Sequence, residues 1–427
     1  MSTNHIATAH EAASQWANEI IARAEVLTPN NIRKHIRGLP MKARIALRAA
    51  LALPKGSLTI QLPDQRVVSI KGQNPGPDAV LILNNWNLPR KAITQATVGV
   101  GESYMDGDWT SPDVTTFLAL FLENEQWGTR LYTANLWMSA TGRFLHWLNR
   151  NTKSKAQKNI AAHYDLGNEF YTKWLDRSMT YSSAIYADGA NDLESAQAAK
   201  YRALAEAVGI KKGDQVLEIG CGWGGFAEFA ANEIGCHVTG LTISKEQLAF
   251  ARERVKKAGL QGKVHLKFQD YRDERGQYDH IISIEMFEAV GEEYWDSYYG
   301  QLKALLKPGG RAGLQIITMN DETFDYYKLN PDFIQRYIFP GGMLPAPSKL
   351  EELRNAHGLK DAGLRTFPQD YARTLADWRK TFWERWGDIK PLGFDERFKR
   401  MWEFYFHYCE AGFGTEFIDV RQIVYEK

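Results

Sequence analysis

Two acidic residues three positions apart, in Glu285-Met-Phe-Glu288, follow the apolar strand-type run His280-Ile-Ile-Ser-Ile284. The carboxyl edge of a parallel strand is where α/β proteins bind ligands, and a carboxylate there can accept a proton or face a cation. Glu288 reads as that anionic group; the alternative is a carboxylate that caps the next helix. Glu285 reads as a surface helix residue or, at most, a support for its neighbour. A second constellation lies upstream in Asp214-Gln-Val-Leu-Glu-Ile-Gly-Cys-Gly-Trp-Gly-Gly225. Val216, Leu217 and Ile219 form a strand-type run, Gly220, Gly222 and Gly224 follow, and a helical pattern starts at Phe226. Strand, glycine turn and helix let a main chain approach a bound cofactor closely. A tight turn with no ligand is the alternative. The next strand, His237-Val-Thr-Gly-Leu-Thr-Ile243, lacks the acidic residue near its end that a nicotinamide ribose would need.

The turn, with Glu218-Ile-Gly-Cys-Gly-Trp-Gly as first motif, resembles that of the S-adenosylmethionine-dependent methyltransferases. Four segments in order resemble the cyclopropane fatty acid synthases. They are His163-Tyr-Asp-Leu-Gly-Asn168 with Met179-Thr-Tyr-Ser-Ser-Ala-Ile-Tyr186; the glycine turn with Leu241-Thr-Ile-Ser244; Glu285-Met-Phe-Glu-Ala-Val-Gly291; and Tyr337-Ile-Phe-Pro-Gly-Gly-Met-Leu-Pro345 with Asp370-Tyr-Ala-Arg-Thr-Leu-Ala-Asp-Trp378. Gly101-Glu-Ser-Tyr-Met-Asp-Gly-Asp-Trp109 resembles a motif of their amino-terminal region. The resemblance implies methyl transfer from S-adenosylmethionine to a cis double bond of a phospholipid acyl chain, with proton loss closing a cyclopropane ring. An alkene is a weak nucleophile and the resulting carbocation is trapped by water. Such a site needs alignment, exclusion of water, and anionic or π groups near a base.

By the same resemblance Glu288 holds a bicarbonate ion that takes the proton, assisted by Ser183, Gln315, Ile317 and Tyr371. Tyr181 and Ser182 close over S-adenosylmethionine. Gly220, Gly222, Thr242 and Gln247 approach its methionine and ribose, and Asp270 and Tyr271 hold its adenine. Three positions depart from the bacterial and mycobacterial pattern. Ser183 stands for a Cys, Gln315 for a His, and Ala289 for a His after the catalytic Glu. These departures resemble the branch of plant cyclopropane synthases and of actinobacterial enzymes that form methylene-branched chains. Gln does not titrate, which puts the bicarbonate, and hence ring against methyl- or methylene-branched product, in question.

The elements that must position these residues alternate. Strands are expected at 215–219, 237–241, 264–268, 279–284 and 311–317 with helical patterns between them, and helices at 370–386 and 395–410. That is an α/β fold, a Rossmann-like class I methyltransferase sheet with helices on both faces. A smaller mixed, mainly helical amino-terminal domain precedes it. Residues 1 to about 30 read as a helix, Ser57–Leu62, Arg66–Ile70 and Ala79–Leu83 as short strands, and about Val114–Asn149 as helical. The polar stretch Asn149–Lys158 marks the boundary, giving domains 1–150, lipid- or membrane-associated, and 151–427, catalytic. The aromatic-rich 324–347 reads as irregular, either the wall of an apolar acyl tunnel or an ordinary hydrophobic lid.

A chain of 427 residues suits two domains. With 52 Lys+Arg against 51 Asp+Glu, overall charge does not support nucleic-acid binding. Cys221, Cys236 and Cys409 form no metal-ligand spacing, so no metal is expected and a reducing, cytoplasmic setting fits. The start Met1-Ser-Thr-Asn-His-Ile-Ala7 lacks a basic start and an apolar core, so no signal peptide is expected, and no apolar run reaches spanning length. Six Lys/Arg and no acid lie between Arg33 and Arg48, and Met41–Leu53 reads as a basic amphipathic helix. Its exposed face is either a peripheral membrane contact, at the inner face of the membrane, or an ordinary solvated surface. The expected partners are unsaturated phospholipid chains, the membrane surface and a second copy of the chain in a dimer.

Overall fold

A computed structural model describes residues 3–125, 166–186 and 189–427. The stretch 149–158, the later part of the helix expected to reach Asn149, and His163–Asp165 lie outside these residues. The chain forms two compact units, Met1–Gly142 with Phe394–Thr415, and Arg143–Gly393 with Glu416–Lys427.

The first unit is built on a five-stranded sheet ordered β1-β3-β2-β4-β5. Its strands are β1 (Glu25–Val26), β2 (Lys55–Gln61), β3 (Val67–Lys71), β4 (Asn74–Leu83) and β5 (Trp109–Thr110). The first helix spans Thr3–Ile21 and gives way to β1, so the helix expected to run to about residue 30 is shorter. Asp108 ties the Gly101–Trp109 motif together, accepting from Asn85, Asn87, Lys91 and Ser103 at 2.8–3.0 Å. The helix Glu396–Gly414 also belongs to this unit, although a single cut at residue 150 assigns it to the other. Its aromatic face decides the matter: Phe404 lies 5.7 Å from the Tyr104 ring, and Arg400 donates to the Tyr104 and Trp109 carbonyls.

The second unit carries the seven-stranded sheet β11-β12-β10-β9-β6-β7-β8. In chain order its strands are β6 (Gln215–Ile219), β7 (His237–Thr242), β8 (Val264–Phe268), β9 (Tyr278–Ile284), β10 (Leu306–Met319), β11 (Lys360–Thr366) and β12 (Ile418–Glu426). β6, β7, β8, β9 and β10 run parallel, and β12 runs antiparallel to both β10 and β11. Central parallel strands are covered on both faces, and Val216, Leu217, Ile281, Ile282, Leu314 and Ile316 are accordingly buried. The strand order reverses between β6 and β9, which opens a crevice at their carboxyl ends. The aromatic-rich segment is more regular than expected, with a helix at Asp321–Leu329 and a π-helix at Ile334–Ile338. Phe324, Tyr327 and Phe333 are buried, the first two in the core that covers the sheet.

Candidate active site

At the crevice the chain turns through Gly220, Gly222 and Gly224, at φ +84°, +49° and +84°. The Gly220 and Cys221 amides both donate to the Leu241 carbonyl, which fixes the turn to β7. A Cβ on Gly220 would strike Met286 at 2.6 Å, whereas one on Gly222 would meet nothing within 4 Å. The space beside Gly222 is therefore open. Trp223 closes one side, its indole N–H donating to Asn168 at 2.7 Å and its ring 5.1 Å from Tyr171. Tyr181 packs among Tyr171, Trp174, Trp378 and Phe339 at 5.2–6.2 Å. Trp174 and Trp378 are fully buried, so this aromatic cluster is tightly packed and excludes water.

Across the crevice the end of β9 delivers Glu285 in a left-handed conformation, φ +47°. A long side chain rarely adopts this geometry, and strain of that kind persists where the surroundings over-determine it. The surroundings here are four hydrogen bonds. The Glu285 amide donates to the Gln315 carbonyl at 2.8 Å. Its Oε1 accepts from the Ser183 amide at 2.8 Å and from Gln315 Nε2 at 2.8 Å, and its Oε2 accepts from the Tyr371 hydroxyl at 2.6 Å. Gln422 on β12 donates to Gln315 Oε1 at 3.1 Å, which leaves the Gln315 amino group for Glu285.

Glu288 sits one turn further on, in the 3₁₀ turn Phe287–Ala289. Its Oε1 accepts from the Ile317 amide at 2.6 Å, while its Oε2 is buried and has no partner. Burial pushes the Glu288 carboxyl up to about 8, and the Glu285 carboxylate adds to the rise. The Glu285 carboxyl also lies above its ordinary value, through burial; Tyr371, Lys200, Gln315 and the Ser183 amide pull it back. Both residues keep part of their surface open to the crevice, yet protein atoms crowd each carboxyl, and it is this crowding that desolvates the charge.

The expected gathering of Ser183, Gln315, Ile317 and Tyr371 around Glu288 therefore divides. Ile317 serves Glu288, and the other three serve Glu285, which the sequence reading left at the margin. One signal could have singled it out: an acidic residue directly after a buried strand, at a position where the chain must turn.

The model of the mycolic acid cyclopropane synthetase family matches residues 151–423. The chain is 37% identical over 354 residues to the tuberculostearic acid methyltransferase UfaA1 of Mycobacterium tuberculosis, covering 78% of this chain and 80% of that protein. It is 35% identical over 365 residues to the cyclopropane-fatty-acyl-phospholipid synthase of Escherichia coli, covering 84% and 90%. The chain belongs to the mycolic acid cyclopropane synthetase family. It is an S-adenosylmethionine-dependent methyltransferase. The crystal structure of the mycolic acid cyclopropane synthase CmaA1 complexed with SAH and CTAB superposes with a TM-score of 0.60 at 28% identity, over 64% of this chain and 98% of that one.

The other expected cofactor residues of this methyltransferase lie along the same sheet edge. Thr242, at the end of β7, donates to Gln247 Oε1 at 3.1 Å, and both are buried behind the Ser244 cap of the next helix. Asp270 is held by Arg272 through two side-chain hydrogen bonds, and Tyr271 packs 5.2 Å from the Tyr298 ring in the core. Ser182 accepts Gln197 Nε2 on its carbonyl and Lys200 Nζ on its hydroxyl. Glu218, at the end of β6, is buried with an unpartnered Oε2, and burial raises its carboxyl to about 8. The open glycine cradle and this orphaned oxygen at the turn fit a polar cofactor. No cluster with metal-holding geometry occurs among the described residues.

Proposed function

We propose that this methyltransferase acts on the double bond of an unsaturated phospholipid acyl chain, giving a cyclopropane chain, and that Glu285 is its proton acceptor. The observation that carries the reading is the carboxylate of Glu285 held by Ser183, Gln315 and Tyr371 at 2.6–2.8 Å beside a ring-lined crevice. Its chemistry is that of a water-excluding site where a cation must lose a proton.

S-adenosylmethionine, when bound along Gly220–Gly224, supplies an electrophilic methyl carbon. The π pair of the acyl double bond forms the new carbon–carbon bond and leaves positive charge on the neighbouring acyl carbon. Tyr181 and Phe339, backed by the buried Trp378, keep water away and face the charge. Glu285 accepts a proton from the new methyl carbon, and the freed pair closes the ring. Raised above its ordinary value by burial yet stabilised by three donors, its carboxyl is a stronger base than a free one. Glu288, whose carboxyl burial pushes up to about 8, stands beside it and favours its protonated form.

The donors that the family resemblance assigns to bicarbonate are thus taken up by a side chain, and no bicarbonate is needed. The same observation favours a second reading. A base fixed in the chain acts equally after a hydride shift, when loss of the methyl proton gives a methylene branch, and the similarity to the tuberculostearic acid methyltransferase supports branching without ring closure. The substrate lies in a bilayer, and no helix among the described residues is long and apolar enough to cross one, so the reading includes peripheral contact with the membrane.

Mass spectrometry of lipids from cells expressing the protein with a methyl-labelled donor tests the reading. A gain of one labelled CH₂ on unsaturated chains is expected. Ozonolysis then cleaves a methylene branch and spares a ring. Labelled lipids absent from expressing cells would overturn the acyl reading.

A further inference from the structure

Lys200 is fully buried in the helix Leu193–Val208, next to the site yet outside the chemistry described so far. A buried ammonium is costly unless paired, so its surroundings show what it is for. Its Nζ donates to Ser182 Oγ at 2.7 Å and lies 4.5 Å from the Tyr201 ring centre. The charges of three carboxylates from three other segments act on it: Glu285 after β9, Glu218 at the end of β6, and Asp176 before the Met179–Tyr186 segment. Among the described residues, Lys200 is the one ammonium whose charge acts on both Glu285 and Glu218.

Two hydrogen-bond chains start from Lys200 and end on Glu285. In the first, Lys200 and Gln197 hold the hydroxyl and carbonyl of Ser182, and the next amide, that of Ser183, donates to Glu285. In the second, the Lys200 carbonyl accepts from Gln422 Nε2, which also donates to Gln315 Oε1, and Gln315 Nε2 donates to Glu285. One residue thus orients two of the three donors on the base. Neither chain involves Glu288, on which Glu285 acts through its charge.

We propose that Lys200 is a positioning residue: its ammonium anchors Ser182 so that the Ser183 amide stays on Glu285, and it supplies the buried positive charge opposite that carboxylate. This rests on Glu285 being the proton acceptor. The ammonium is fully buried, away from the open crevice, so its removal acts on the rate and on the proton affinity of Glu285. Burial pulls the Lys200 ammonium down to about 7, so the countercharge fades as pH rises past neutrality.

The test follows the protonation of Glu285 itself by difference infrared spectroscopy, with Glu285→Gln as the reference that identifies its carboxyl band. In Lys200→Met that carboxyl should bind its proton at least about tenfold more tightly, the effect of losing a nearby opposite charge. The acidic limb of the kcat profile should move to higher pH with it, KM for lipid vesicles should hold, and Lys200→Arg should restore both. Ser182→Ala keeps the charge and removes its anchor, so it decides the matter if Lys200→Met does not fold. It should lower kcat about tenfold, the scale of one hydrogen bond to a charged group. An unchanged Glu285 titration in folded Lys200→Met, or a wild-type rate in Ser182→Ala, overturns the proposal. A wild-type protein that methylates no lipid would overturn the acyl reading instead, and the infrared titration would still decide the role of Lys200.

Discussion

Glu285 and Gln315 are bonded twice, the Glu285 amide to the Gln315 carbonyl at 2.8 Å and the Gln315 side-chain amide to Glu285 Oε1 at 2.8 Å. The backbone contact fixes where β9 ends relative to β10, and the side-chain contact fixes where the carboxylate points. A neutral, non-titrating donor is suited to this place, because a charged imidazolium beside Glu285 would lower its proton affinity.

Glu285→Gln keeps the shape and removes the charge. kcat should fall about 10²–10³-fold, the usual loss for one preorganised group, while calorimetric S-adenosylmethionine affinity holds. Glu285→Gly empties the cradle formed by Ser183, Gln315 and Tyr371. Bicarbonate should then restore part of the rate, and should leave the wild type unaffected. Bicarbonate stimulation of the wild type would show that Glu285 is not the acceptor.

Glu288→Gln separates the two carboxylates. A protonated Glu288 is mimicked by an amide, so turnover near neutral pH should stay within about tenfold of wild type. Stability should respond more clearly. A carboxyl raised to about 8 in the folded protein favours folding below its unfolded value of 4.5, and that advantage is lost as pH rises towards 8. Chemical denaturation should find the two proteins similar at low pH and Glu288→Gln more stable at pH ~8, by a difference on the order of a few kcal/mol. A rate loss matching that of Glu285→Gln would make Glu288 a working base.

Gly222→Val places a branched side chain at φ +49°, in space open to the crevice. The strained backbone should cost about 1–3 kcal/mol of stability, and donor binding should fall below calorimetric detection. Unchanged affinity would move the cofactor away from this turn.

The helix Met41–Ala50 buries Ala43, Leu47 and Ala50 and exposes Met41, Arg44, Ile45 and Arg48 along one opposite face. Met41 is 72% and Ile45 48% exposed, apolar contacts set between two cations. Lys42, Arg44 and Arg48 changed to Glu should weaken binding to anionic vesicles by about a hundredfold or more, given ~1 kcal/mol per cation at such a surface. Neutral vesicles and high salt should shrink the difference. Equal vesicle binding at low salt would assign this face to solvent.

The parallel sheet, the glycine turn, the candidate carboxylates and the segments that surround them are legible in the sequence because each is a local signal. Burial on both faces requires an apolar run at 215–219, and close backbone approach requires glycine at 222. β12 and β11 are not legible as parts of that sheet, since antiparallel pairing with β10 joins Gln315 to Gln422 across 107 positions. The helix 396–414 is equally legible as a helix, but only aromatic packing on Tyr104 assigns it to the first unit. The surroundings of the two carboxylates are the sharpest case. Sequence similarity points to Glu288, because motifs align residues one by one. Which of two carboxylates three residues apart receives Ser183, Gln315 and Tyr371 depends on a left-handed turn at Glu285 and on donors from segments 30 to 102 positions away. Only folding brings those donors to one point, and there the cost of burying a charge is offset by hydrogen bonds that no local pattern encodes.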